Sequence, residues 1–311
     1  MRLFIKRMVV FALVTIGLVF FFQILISARI KGKTVRGHDN LEQTSNVHAD
    51  LVLMGSSRCW SHLDPVFFDS TFKLRSINIG VDGHSEISMA IIRLKDYLSR
   101  NVPPKFAICT FDPFVSSGKQ KNNTNYVHKN DFARYAFFPK EKDLLIVDYF
   151  GFNFFEKYVP LYAIFKYKLL ANCIFLNNRS NYVDFGYERH DLNWDTIATP
   201  VSDKMKGFYF KESDIPAIQK SADSLVQLCK SNNIKLMFIQ TPVYKVCYDD
   251  SAFSMTSKIC SGMNIPFIDV NDEYIRNNIK FFYNSNHLNT TGVNAMNSLL
   301  SKDSLLRSFL Q

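Results

Sequence analysis

The chain has 311 residues, 47% of them hydrophobic and 21% charged, which is enough apolar material for a sizeable core and excludes a disordered or collagen-like polymer. The formal net charge of +9 is localised: Arg2, Lys6, Arg7, Arg29, Lys31, Lys33 and Arg36 supply seven positives with no acid among the first 36 residues. The remaining thirty basic residues face 28 acidic ones, so the charge gives no reason to expect a nucleic-acid partner, which would need its positive excess on a face of the fold.

The first element in the chain is the uncharged stretch Met8 to Ser27, interrupted only by Thr15, Gln23 and Ser27 among polar side chains. Twenty residues at ~1.5 Å each reach ~30 Å, the thickness of a bilayer core. A cleaved signal peptide would have a shorter apolar region ending in small residues, so residues 1–27 read as an uncleaved transmembrane anchor. Basic residues flank both ends and the positive-inside rule gives no orientation. Residues 28–48 read as a polar tether.

From residue 49, five short apolar runs predict strands: Ala49–Met54, Leu74–Ile79, Phe106–Phe111, Ile234–Gln240 and Ile265–Val270. Four stretches place apolar residues at helical intervals, over Ile87–Arg100, Ile215–Asn232, Asp250–Met263 and Thr291–Leu306. Alternation of nearly continuous apolar strands with helices predicts an α/β domain over 49–311 with a buried parallel sheet of about five strands. Ligands of such sheets bind beyond the carboxyl ends of the strands. Between about residues 113 and 211 the alternation stops and aromatics crowd the sequence, which predicts an inserted helical cap. Those aromatics could pack on one another and on the sheet, or could lie in part against a bilayer or membrane partner.

Six cysteines (Cys59, Cys109, Cys173, Cys229, Cys247, Cys260) form neither a disulfide scaffold nor a CxxC metal pattern and read mostly as small buried hydrophobes; Cys247 and Cys260 could close a short loop in an oxidising compartment. The histidines other than His287 lack metal-ligand spacing, so no metal and no cofactor are expected.

Two loops carry the candidate chemistry. Gly55-Ser56-Ser57-Arg58 follows the first predicted strand and presents a hydroxyl at the sheet's carboxyl edge, where a serine nucleophile or an anion-binding loop would both fit. Asn284-Ser285-Asn286-His287 precedes the last predicted helix, on a loop that an open parallel sheet would set beside Ser57, where a general base is needed. Arg58 could bind an anionic substrate group or pair with Asp64 or Asp82, and His84 could line the pocket.

These blocks resemble the SGNH/GDSL hydrolase family, in particular its membrane-anchored bacterial envelope members, over roughly residues 49–112 and 215–305. The resemblance implies a three-layer, flavodoxin-like α/β/α fold and makes Ser57 the nucleophile, His287 the base, and the Ser57 and Gly83 amides the oxyanion hole. It departs at two places. Asn284 stands where the family has an aspartate three residues before the histidine, and Thr110-Phe111-Asp112-Pro113 lacks the asparagine of the family's third block, leaving Asp112 as a possible substrate contact. The activity implied is an esterase or O-acyltransferase on acyl esters of envelope polysaccharide, acting beside a membrane-bound O-acyltransferase, with the domain outside the cytoplasmic membrane. The two departures equally suit an inactive scaffold or binding subunit of such a system.

Overall fold

The computed structural model describes residues 1–31, 41, 44–116, 129–130, 132–171 and 183–311. Most of the tether, Cys173, His38 and His128 lie outside the described residues. By internal contacts the chain forms two units, one of residues 1–35 and 121–181, the other of residues 36–120 and 182–311.

The second unit is built on five strands, β1 (Leu51–Met54), β2 (Ser76–Asn78), β3 (Phe106–Thr110), β6 (Lys235–Gln240) and β7 (Phe267–Asp269), ordered β2-β1-β3-β6-β7 and all parallel. Period-two alternation sends Leu51, Leu53, Phe106, Ile108, Met237 and Ile239 to one face. Val52, Met54, Ala107, Cys109 and Phe238 go to the other. The first face is covered by α3 (Pro65–Phe72) and by helices Thr290–Leu300 and Ser304–Phe309, the second by α4 (Ile87–Leu98) and by helices Ile215–Ser231 and Asp250–Gly262. Both faces are thus sealed by helices, which is the three-layer arrangement expected. All five expected strands are present. The expected Thr291–Leu306 helix is two helices, broken at residues 301–303: Ser301 is the C-cap of the first, and Asp303 caps the second by accepting from the Leu306 N–H.

The hairpin β4 (Val183–Asp184) and β5 (Tyr187–Glu188) lies in the sheet unit, although it falls in the stretch expected to form the cap. Its Phe185 carbonyl accepts from the Asn78 N–H. Gly186 lies so close that an added Cβ would overlap the Asn78 carbonyl. Cys247 and Cys260 are both free and buried, in separate apolar clusters, so no disulfide closes the loop between them.

In the other unit α1 (Arg2–Lys31) runs four residues past the expected end of the anchor at Ser27. It is long and apolar enough to cross a membrane, and almost none of its apolar surface is covered by protein. The covered part is its last three turns. Phe20 meets Phe137, the Gln23 amide oxygen accepts from the Leu161 N–H at 2.6 Å, and the Ile30 carbonyl accepts from the Arg134 guanidinium at 2.9 Å.

One buried amide ties the sheet to α2 (Ser57–His62), the short helix that starts at the candidate nucleophile. The Asn78 side chain donates to the carbonyls of Cys59 (2.8 Å) and Leu63 (2.9 Å) and accepts from the Gly80 N–H (2.9 Å). The Cys59 carbonyl also accepts from the Leu63 N–H, so Asn78→Ala would strand the Leu63 carbonyl and the Gly80 N–H, and we expect a loss of ~2–4 kcal/mol in unfolding free energy, read by denaturant titration.

Candidate active site

Strand β1 ends at Gly55, whose φ of +136° favours glycine and whose missing Cβ is filled by the Thr110 hydroxyl of the neighbouring β3. The chain turns there directly into α2, with Ser56 as N-cap accepting from the Arg58 N–H. Ser57 therefore opens the helix, and its N–H belongs to the first turn, whose donors have no intrahelical acceptor. Gly83, at φ +73°, sits exposed in a turn closed by the His84 N–H on the Val81 carbonyl, and the Val81 N–H bonds the Gly55 carbonyl at 2.9 Å. The turn expected to supply the second oxyanion donor is thus fastened to the loop of Ser57.

His287 arrives on the hairpin of β8 (Phe282–Asn284) and β9 (His287–Leu288). Its Nε2 lies 2.8 Å from Ser57 Oγ, and its Nδ1 lies 3.0 Å from Asn284 Oδ1. That Asn284 atom also accepts from the backbone N–H groups of Asn286 (3.1 Å) and His287 (3.0 Å), so it is the amide oxygen. The histidine must then carry its proton on Nδ1, leaving the Nε2 lone pair for the serine hydroxyl. This is the tautomer a general base requires.

A second histidine, with no role evident from the sequence, holds this hairpin. His62, five residues after Ser57 on α2, accepts from the Leu288 N–H through Nε2 at 2.9 Å and donates through Nδ1 to the Thr241 hydroxyl at 2.8 Å. The Tyr283 ring stacks on His287 with centroids 5.4 Å apart, and His190 meets Tyr283 in turn at a tilt of 32°.

Arg58, His84 and Asp112, expected as possible substrate contacts, are all buried. The Arg58 Nε lies 3.2 Å from the Thr241 hydroxyl and 3.4 Å from an Asp112 carboxylate oxygen, so its partner is Asp112 and neither Asp64 nor Asp82. Asp64 instead caps α3. Asp112 is turned to the arginine and to the Phe114 N–H at 3.1 Å. His84 lies 3.6 Å from Glu86. Among the described residues there is no cluster of His, Cys, Asp and Glu that could hold a metal ion.

Burial, then the nearby Arg58 cation and His190, push the His287 imidazole down to about 3. Burial and the same arginine also hold His62 well below its ordinary value. Both rings are neutral at pH 7. A carboxylate at residue 284 would oppose these effects, but the amide brings no charge. The arrangement is an uncharged base poised on a hydroxyl, at the carboxyl edge of a parallel sheet.

No protein-family model and no curated protein matches the chain. Among solved structures it is similar to a protein assigned as an acylhydrolase from Bacteroides fragilis, with 12% identity and a TM-score of 0.40 over 90% of this chain and 100% of the other. It is also similar to a GDSL-like lipase from Bacteroides thetaiotaomicron, with 11% identity and a TM-score of 0.37 over 86% of this chain and 90% of the other.

Titration by histidine-selective NMR should show no protonation of His287 between pH 8 and pH 5, and Asn284→Asp should bring its protonation into that window. The sign for stability follows. Below an ordinary histidine value near 6.5 the unfolded chain takes up protons that the folded His62 and His287 refuse, so stability falls as pH drops, by up to ~1.4 kcal/mol per pH unit for each ring. Thermal unfolding at pH 7 and pH 5 reads this slope, which should be shallower in Asn284→Asp.

Proposed function

We propose that the protein is a membrane-anchored serine esterase or O-acyltransferase acting on acyl esters of envelope polysaccharide. The observation that carries this reading is the relay Ser57 Oγ to His287 Nε2 (2.8 Å) and His287 Nδ1 to Asn284 Oδ1 (3.0 Å), held in the base-competent tautomer. In the proposed reaction Ser57 attacks the acyl carbonyl, His287 takes the hydroxyl proton, and the Ser57 and Gly83 N–H groups hold the oxyanion. His287 returns the proton to the departing alkoxide, leaving an acyl-serine. Water then gives hydrolysis, and a sugar hydroxyl gives transfer, with the same ring removing the proton of the incoming group. The glycan class, the place outside the cytoplasmic membrane with residues 8–27 as anchor, and a membrane-bound O-acyltransferase as partner belong to the proposal as the resemblance implies them.

The neutral Asn284 favours a second reading, an inactive scaffold or binding subunit, since an imidazolium formed beside an amide gains no carboxylate to stabilise it. Two measurements separate the readings. A fluorophosphonate probe should label the full-length protein, with fluoride leaving as Ser57 Oγ bonds to phosphorus. Labelling should vanish in Ser57→Ala and fall in His287→Ala. An unlabelled wild type beside a labelled control esterase would establish the scaffold. With an activated acetyl ester, Asn284→Asp should hydrolyse faster than wild type, because loss of the aspartate from a complete triad costs ~10⁴-fold and part of that deficit is recoverable. Hydrolysis that survives Ser57→Ala would remove the nucleophile assignment.

A further inference from the structure

The unit of α1 and the 129–171 segment presents a surface that the proposed reaction does not use. A chain of ring contacts starts on α1 at Phe20 and passes to Phe137, then Phe138, Tyr158, Phe154, Phe155 and Tyr162, with successive centroids 4.8 to 6.3 Å apart. The last five rings are 40% to 66% exposed. Singly exposed apolar side chains are ordinary, but five contiguous aromatics continuous with an apolar helix form a patch that water does not favour.

The depth of this patch follows from α1. Gln23 is a buried polar side chain on an otherwise almost uncovered helix, and both ends of its amide are used, by the Leu161 N–H at 2.6 Å and the Ser27 hydroxyl at 2.6 Å. Gln23 lies four residues inside the Ser27 end of the uncharged stretch, and Phe20 lies seven residues inside. At the helical rise these are depths of ~6 Å and ~10 Å, the zone where amphipathic surface helices place their apolar faces. A polar side chain in that zone needs a protein partner, and Leu161 supplies it. Lys157 and Lys166, which alternate with the rings, are paired with Asp148 and Glu156, so what the rings' immediate surroundings offer a bilayer is apolar surface more than free charge.

We propose that Phe138, Phe154, Phe155, Tyr158 and Tyr162 lie in the headgroup–acyl boundary of the bilayer that α1 crosses, so that the 129–171 segment is an interfacial collar around the outer end of the anchor. This rests on reading α1 as a membrane anchor. The occupant is zwitterionic phospholipid, whose boundary takes aromatic rings without requiring protein charge.

The test uses full-length protein in phosphatidylcholine vesicles. Its two tryptophans, Trp60 and Trp194, are buried in the sheet unit and provide the background emission. Phe155→Trp and Phe154→Trp place reporters on the patch, and Leu18→Trp places one on the exposed mid-helix surface. Lipid brominated high on the acyl chain should lower the added emission of the patch variants roughly twofold and more than lipid brominated near the chain end, whereas Leu18→Trp should show the reverse order. Quenching of Leu18→Trp with no quenching of the patch variants overturns the collar alone. Failure to quench any variant overturns both the collar and the anchor. An unquenched but blue-shifted patch signal that grows with protein density would assign the patch to a second copy of the chain, and would equally overturn the proposal.

Discussion

The candidate site hangs on a single turn and a half of helix. Ser57 stands at its first position and His62 at its last, and the two are linked through the hairpin that brings in His287: hydroxyl to His287 ring at one end, His62 ring to Leu288 N–H at the other. The helix is itself fixed from below by the Asn78 amide on the Cys59 and Leu63 carbonyls. Two rigid supports therefore define one distance. A rotation of α2 that moved the hydroxyl would also have to break a buried bond at His62, and buried unmade bonds are expensive. Preorganisation is obtained from backbone groups and neutral rings, without a carboxylate touching the base.

That neutrality is the chemical signature of the site. Arg58 is paired with Asp112 and bonded to the Thr241 hydroxyl, and after burial its positive charge is the next cause that lowers both imidazoles. Base strength is thereby traded for certainty of protonation state. The imidazole is always ready to accept a proton and always reluctant to keep it.

Much of this could be read from the residues. The five strands announce themselves because strands buried on both faces are continuous apolar runs, and the turn at Gly55 marks where the first one ends. The loops of Ser57 and His287 follow from the rule that parallel sheets work at their carboxyl edge. The short helices α2 and α3 were not legible, since six and eight residues hold too few turns to show a period. Arg58 and Asp112 read as possible substrate contacts, and only their spatial pairing with each other explains their burial. His62 and Asn78 act through single hydrogen bonds across the fold, which leave no pattern along the chain. In the aromatic stretch, density of rings signals burial and membrane contact alike, and the order of the rings outward from Phe20 is visible only in the folded chain.

The hydroxyl and its base are separated by 230 residues of chain, and the Asn284 amide that sets the tautomer is nearly as far. Sheets joined by such distant contacts close late, after the loop entropy between them has been overcome. On a ribosome, Ser57 would emerge, and β1 and β3 could pair, long before the imidazole that activates the hydroxyl had been synthesised. A serine without a base is an ordinary alcohol, so on the proposed reading the hydroxyl stays unactivated until the residues around His287 have been made and folded.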